Sequence, residues 1–385
     1  MSIHLPSYDQ LTSDEQRPVY NLPLDNNYVV RGAPGTGKSI LALYRAARVK
    51  SDGDSANVKF LIFNKPLRKY LAEAVLQLKL ANSSVDSWQR WYHRGFLPWY
   101  NPKFSQHLTV EETLSGGDPG WNTICKNVEA VPVADRVEHW EHLILDEAQD
   151  LPSGLIKLLS LLTKNATIFV DPHQRILSNS DELIIENIMS YFSADQRVFA
   201  LTRNFRNTEE ISRVAQCFYV GQAGDLPAPA SKHGPKPRLI LSSGIGATAQ
   251  FIANIADNNP GTQVGVIVRS NKSRDAYFSA VSSKVANVPV QFYDTDHDDQ
   301  FDFNRTGVKI MNTMVMKGLE FDFVVIPELG GYPDNELTRN VLYVASTRAQ
   351  RELVYVYAAT ERTSFAVQKL QSLNSTEQLV DEESL

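Results

Sequence analysis

Cysteine is scarce in this chain of 385 residues, where Cys125 and Cys217 stand alone. Two thiols far apart and without ligand spacing exclude a disulfide framework and a cysteine-based zinc site, and both read as small buried hydrophobes. An excess of basic charge is also missing, since 38 Lys and Arg face 44 Asp and Glu for a net charge of −6. That balance excludes a surface coated in basic patches and confines any polyanionic partner to a local groove. No apolar run approaches bilayer-spanning length, and Met1 to Ser7 shows no charged segment followed by an apolar stretch. A membrane partner is therefore not expected, and the cytoplasm is the expected location. No internal repeat is evident, and 43% apolar content suits a chain of two or three folded domains.

What the chain does contain is a series of short runs rich in Val, Ile and Phe, separated by helical stretches. They fall at 28–30, 58–63, 142–145, 167–170, 197–201, 237–242, 264–268, 308–311, 321–326 and 352–357. Such alternation predicts parallel α/β architecture. A Pro/Gly-rich connection runs from Gly221 to Pro237, and the domain boundary is expected slightly before it. The division expected is an N-terminal domain over 1–198, a second over 199–362, and an acidic, flexible tail over 363–385. All five tryptophans, Trp88, Trp91, Trp99, Trp121 and Trp140, lie in a segment at 88–140 alongside Arg90 and Arg94. Aromatics interleaved with arginines either stack nucleobases or fill the core of a small subdomain, and both readings stand. Asp294 to Asp299 has the look of a calcium loop, but Asp299 and Arg305 stand where the turn glycine and the last glutamate belong. It reads as a solvated loop.

The most specific pattern is Gly32-Ala33-Pro34-Gly35-Thr36-Gly37-Lys38-Ser39, which fits the phosphate-binding loop GxxxxGK[ST] between an apolar strand and a helix start. Backbone N–H groups there cradle phosphates, Lys38 reaches the β- and γ-oxygens, and the Ser39 hydroxyl ligates Mg²⁺. Downstream, the strand His142 to Leu145 ends in Asp146-Glu147-Ala148-Gln149. Asp146 is placed to hold the metal and Glu147 to orient or deprotonate water, which favours hydrolysis over transfer to a substrate hydroxyl. Ser13 to Gln16 reads as a capping box with Ser13 as N-cap.

Further runs complete a series in order: Asp171-Pro172-His173-Gln174-Arg175, then Thr202-Arg203-Asn204-Phe205-Arg206-Asn207, Lys317-Gly318-Leu319-Glu320-Phe321-Asp322 and Val344-Ala345-Ser346-Thr347-Arg348-Ala349. With the two phosphate-site elements these resemble the motifs of superfamily 1 helicases of the Rep/UvrD type, over positions 13–357. The resemblance implies two tandem RecA-like domains with ATP and Mg²⁺ in the cleft between them. It implies that Gln174 senses the γ-phosphate, that Arg206 and Arg348 act as arginine fingers, that Phe205 stacks on adenine and that Glu320 reaches the ribose. It also gives Gln16 a second reading, as the adenine-contacting glutamine. Single-stranded nucleic acid, DNA before RNA, is the implied partner, with 3′ to 5′ movement; Phe63, Asn64, Trp88, Arg269 and Asn312 are its candidate contacts.

Several positions depart from the family pattern. Ile40 stands where relatives carry an arginine over the adenine, Ile62 occupies the usual aromatic slot beside Phe63, and Asn312 and Met314 replace a Thr-x-His pair. The two bulky accessory subdomains have shrunk to the segment at 88–140 and the acidic loop near 294–305. A reduced motor of this kind is expected to need a protein partner for efficient unwinding. Two other readings remain: a nucleic-acid-sensing regulatory ATPase subunit of a larger repair or phage-defence complex that does not unwind, and a P-loop kinase, which would need neither arginine finger.

Overall fold

A computed structural model describes residues 5–12, 14–52, 57–63, 65–81, 84–109, 118–171, 184–221, 228, 230, 232–293 and 301–385. Its strands form two sheets. The first contains β1 (Tyr28–Gly32), β2 (Val58–Ile62), β3 (Val85–Ser87), β4 (Trp140–Leu145), β5 (Thr163–Val170) and β6 (Val198–Leu201) in the order β3-β2-β4-β5-β1-β6. The second contains β7 (Arg238–Ser242), β8 (Gln263–Val268), β9 (Val290–Phe292), β10 (Gly307–Asn312), β11 (Phe321–Ile326), β12 (Ala349–Ala358) and β13 (Asp381–Ser384) in the order β13-β7-β12-β11-β8-β10-β9. Every pairing in both sheets is parallel. These are the parallel α/β domains that the apolar runs predict and the tandem RecA-like pair that the resemblance implies, and the central strands β1, β2, β4, β8, β10 and β11 are almost wholly buried and apolar.

The strand period of two sorts the first core into two layers. Val30, Phe60, Ile62, Ile144 and Phe169 face the phosphate-loop helix Lys38–Asp52 with its Leu41 and Leu43. Val29, Leu61, Leu143, Leu145, Ile168 and Val170 face the other way, and there the tryptophan-rich segment supplies the cover. Trp88, Trp91, Trp121 and Trp140 are all buried in that layer, with Tyr92, Phe96 and Tyr100. The core reading of the segment is therefore the one the fold adopts. In the second sheet, helices Ile245–Asn258 and Asn271–Ser282 pack Ile252, Ala256, Tyr277 and Val281 onto β8, β10 and β11.

The chain divides into two compact units, one holding residues up to Gly32 and Gly37–Thr202, the other Ala33–Thr36 and Arg203 onward. The boundary expected at 198 falls inside the first sheet, because β6 pairs with β1 from Val29↔Val198 to Gly32↔Leu201. The tail expected to be flexible over 363–385 is instead the helix Phe365–Glu377 followed by β13. Its acidic composition hides Ala366, Val367, Leu370 and Val380, which are buried, while β13 hydrogen-bonds along β7 and Glu383 meets Arg238 at 3.6 Å. The acidic stretch 294–300 lies outside the described residues. Among the described residues no helix is long and apolar enough to cross a membrane.

Candidate active site

β1 delivers the chain to the phosphate loop, and the helix beginning at Lys38 leaves its first N–H groups without intrahelical partners, the arrangement that receives an anion. Gly37 sits at φ +87°, where a Cβ would lie 2.7 Å from Nε2 of Gln16. Glycine is thus required twice over at this position, by backbone and by space. Lys38 is buried; its Nζ donates to the Gly32 carbonyl at 2.6 Å and lies 3.5 Å from Oδ2 of Asp171. Ser39 Oγ donates to Oδ2 of Asp146 at 2.5 Å, across 107 residues of sequence. Burial, and next the neighbouring Glu147 charge, push the Asp146 carboxyl above the usual carboxylate range. A half-buried hydroxyl and a buried carboxylate converging in this way make a hard oxygen donor set that fits Mg²⁺.

Glu147 adopts the left-handed conformation, φ 55° and ψ 39°, at the head of a short 3₁₀ turn over Ala148–Asp150. Such backbone costs about 1–3 kcal/mol for a residue other than glycine and persists where neighbours hold it. Here the Glu147 N–H donates to Oδ1 of Asp146 at 3.1 Å, and Gln149 Nε2 donates to Oε2 of Glu147 at 2.6 Å. Gln149 Oε1 accepts the Asp171 N–H at 3.0 Å. Gln149 thereby ties the glutamate to the end of β5. Neither Gln149 nor Asp171 was singled out as functional in the sequence, although both lie in the quoted motifs. The signal was a polar residue directly after β5, at Asp171, and another in the turn that follows β4, at Gln149, beside strand ends that the pairing of β4 and β5 brings together.

Gln16 is buried beside the loop and exchanges hydrogen bonds with Thr12. Thr12 Oγ1 accepts the Gln16 N–H at 3.2 Å, and Gln16 Oε1 accepts the Thr12 N–H at 3.1 Å. The amide oxygen is therefore used for structure while the amide nitrogen lies beside Gly37. Ser13 lies outside the described residues, as do Gln174 and Asn64.

In the second unit, Arg206 Nε donates to Oε1 of Glu320 at 2.7 Å, and Nη2 forms an ion pair with the same oxygen at 2.5 Å. Gln350 Nε2 donates to Oε2 of Glu320 at 2.6 Å. Burial alone would raise the Glu320 carboxyl, but Arg206, the hydrogen bonds and Arg348 hold it below the usual range. Arg348 is buried, with Nε donating to the Val344 carbonyl at 3.0 Å and Nη2 to Thr347 Oγ1 at 3.2 Å. Asn207, also buried, bonds the carbonyls of Thr347 and Ala349 and so fixes the Arg206 segment to the Arg348 turn. Phe205 is half exposed, at 50%.

The strand-contact candidates fare differently. Trp88, expected to stack a base, is only 5% exposed and belongs to the core under the first sheet, so its faces are occupied by protein. Phe63 is half-buried against the same core, whereas Ile62 faces the opposite layer, the one-residue shift having turned each side chain to the other face. Arg269 and Asn312 follow and end β8 and β10, adjacent strands, so both stand at the carboxyl edge of the second sheet. Arg269 bonds the Gly331 carbonyl and lies 5.7 Å over the Tyr332 ring, while Asn312 donates to Asn271 at 2.8 Å. These two remain placed where open α/β sheets bind ligands.

The chain is similar to helicase domains and to a helicase sequence. Residues 25–219, just over half of the chain, match the family model described as Schlafen group 3, DNA/RNA helicase domain. Residues 309–356 match the UvrD-like helicase C-terminal domain. A protein of Acanthamoeba polyphaga mimivirus, provisionally named an ATP-dependent DNA helicase, is 24% identical over 237 residues, which is 54% of this chain. The chain spans about a third, 33%, of that relative's length. The C-terminal domain of a DNA helicase candidate from Lactobacillus plantarum WCFS1 aligns with 46% of the chain and 98% of itself, at 19% identity and a TM-score of 0.35.

Proposed function

Because the chain belongs to the Schlafen group 3 DNA/RNA helicase domain family, we propose that it is an ATP-dependent nucleic-acid motor, a UvrD-like single-strand DNA translocase or helicase moving 3′ to 5′. The observation that carries the reading is the Ser39–Asp146 contact with Glu147 held directly beside it. That constellation suits hydrolysis of a phosphoanhydride rather than passive binding.

In this reading the loop from Gly32 to Ser39, including Ala33, Pro34, Gly35, Thr36 and Gly37, wraps the triphosphate, and Lys38 exchanges its Gly32 and Asp171 contacts for phosphate oxygens. Ser39 and Asp146 would hold Mg²⁺, which when bound neutralises charge on the β- and γ-phosphates. Glu147, oriented by Gln149, takes the proton of the attacking water. Gln174 sits in the segment that follows Asp171 and reports the γ-phosphate; Arg206 and Arg348 supply positive charge as it leaves, a contribution of about 10³–10⁵ in rate for such groups. Gln16 and Phe205 contact the base. Arg269 and Asn312 contact the strand.

Burial of Trp88 favours a second reading in which strand contacts serve sensing rather than transport, within a larger assembly. The test is displacement of a fluorescent strand from duplexes with a 3′ or a 5′ single-stranded tail, beside displacement of streptavidin from a biotinylated strand end. A motor clears the 3′-tailed substrate or its protein block with ATP. Strand-stimulated hydrolysis with no displacement of either block would leave the sensing reading in its place.

A further inference from the structure

We infer that Glu320 and Gln350 are positioning residues that aim Arg206, an inference that rests on the proposed ATP hydrolysis and goes beyond it. The three side chains form a chain of short contacts inside one unit. Arg206 engages Glu320 through a single edge of its guanidinium, Nε at 2.7 Å and Nη2 at 2.5 Å, both to Oε1. Among the described residues the Nη1 corner meets only the Thr347 carbonyl, at 3.5 Å, the outer limit of a hydrogen bond. A guanidinium is a rigid planar fork with donors on two usable edges. Clamping one edge therefore fixes the plane and presents the Nη1–Nη2 edge to an incoming phosphate.

Gln350 completes the device. Its amide holds Oε2, so the carboxylate cannot rotate away from Arg206. Arg206 and Glu320 are both shielded from solvent, with 13% and 25% of their side chains exposed, so the pair is screened less than a surface ion pair. Asn204 anchors the other end of the segment: its Oδ1 accepts the Arg206 N–H at 3.0 Å, so backbone as well as side chain is set. The sequence reading had Glu320 touching the sugar itself. Here both of its oxygens are engaged by protein, which points to action through Arg206.

The test is a double-mutant cycle on the full chain, read as ATP turnover with saturating single-stranded DNA. Arg206→Ala should lower kcat by about 10³-fold, within the range for arginine fingers. Glu320→Gln, and the nearly isosteric Gln350→Met at a half-exposed position, should each lower kcat about tenfold with KM changed less than twofold. In the Arg206→Ala background neither should lower kcat further. A loss from Glu320→Gln that persists undiminished without Arg206, or that falls on KM, would overturn the inference and mark Glu320 as touching nucleotide directly. Turnover absent from the wild-type chain would sink the proposed function and this inference together; turnover lost in Arg206→Ala with independent Glu320 and Gln350 effects would sink the inference alone.

Discussion

Glu147 concentrates the residue-scale argument: a glutamate in left-handed backbone, held by Asp146 on one side and Gln149 on the other, at the head of a buried turn. Glu147→Gln keeps size and hydrogen-bonding capacity while removing the base, so turnover should fall by about 10²–10⁴-fold with nucleotide affinity retained. Lys38→Ala should lose both turnover and triphosphate affinity, read by fluorescent-nucleotide binding. Lys38, Ser39, Asp146 and Glu147 were legible in the sequence because each belongs to a local pattern whose spacing is itself the chemistry. The hold of Gln149 on Asp171 and of Glu320 on Arg206 was not, because the partners lie 22 and 114 residues apart and meet only through the fold.

At the scale of elements, all ten apolar runs became strands, whereas β3, β9 and β13 were not anticipated. All three are sheet edges. An edge strand is paired on one side only and can be short, so it needs no long apolar run: β3 and β9 have three residues each, and β13 is wholly exposed and acidic. The tryptophan segment was readable as core or as stacking surface until the sheet showed which face it covers. Close approach of its helix Trp121–Glu129 to the helix Ser153–Ser160 depends on Gly154, where a Cβ would lie 2.2 Å from Trp121. Gly154→Ala should destabilise the first unit by about 1–3 kcal/mol, seen as a lower urea midpoint.

A second element-scale device joins β4, β5 and the phosphate-loop helix. Arg45 and His142 share the hydroxyl of Thr167, at 3.2 and 2.9 Å, and all three side chains are buried. Burial, and next the Arg45 charge, lower the His142 pKa from 6.5 to about 4. Between those values the unfolded chain takes a proton that the folded chain refuses. The stabilising contribution of neutral His142 is therefore complete above about pH 6.5 and is lost as pH falls toward 4, by up to ~3 kcal/mol. Urea denaturation across this window should show a steeper pH dependence for wild type than for His142→Gln.

For the whole molecule, a net charge of −6 with few candidate strand contacts, Arg269 and Asn312 among them, describes a narrow grip. Apparent affinity for single strands should then fall with salt at a shallow slope, about −0.7 per phosphate neutralised. The compactness that the sequence showed, with no bulky accessory segment between the motifs, leads to the expectation that unwinding by the purified chain is weak without a partner. The helicase-like family was legible from six short motifs. The grip was not, because strand contacts depend on which face a side chain takes, and Trp88 is buried in the core while Phe63 is half-buried against it.

The most direct test of the account is the ATPase rate of the purified chain with and without single-stranded DNA, single-stranded RNA and duplex, measured beside Glu147→Gln. Stimulation by a single strand, strongest with DNA and abolished in Glu147→Gln, is the predicted result. Turnover indifferent to every nucleic acid, or unchanged in Glu147→Gln, would contradict it.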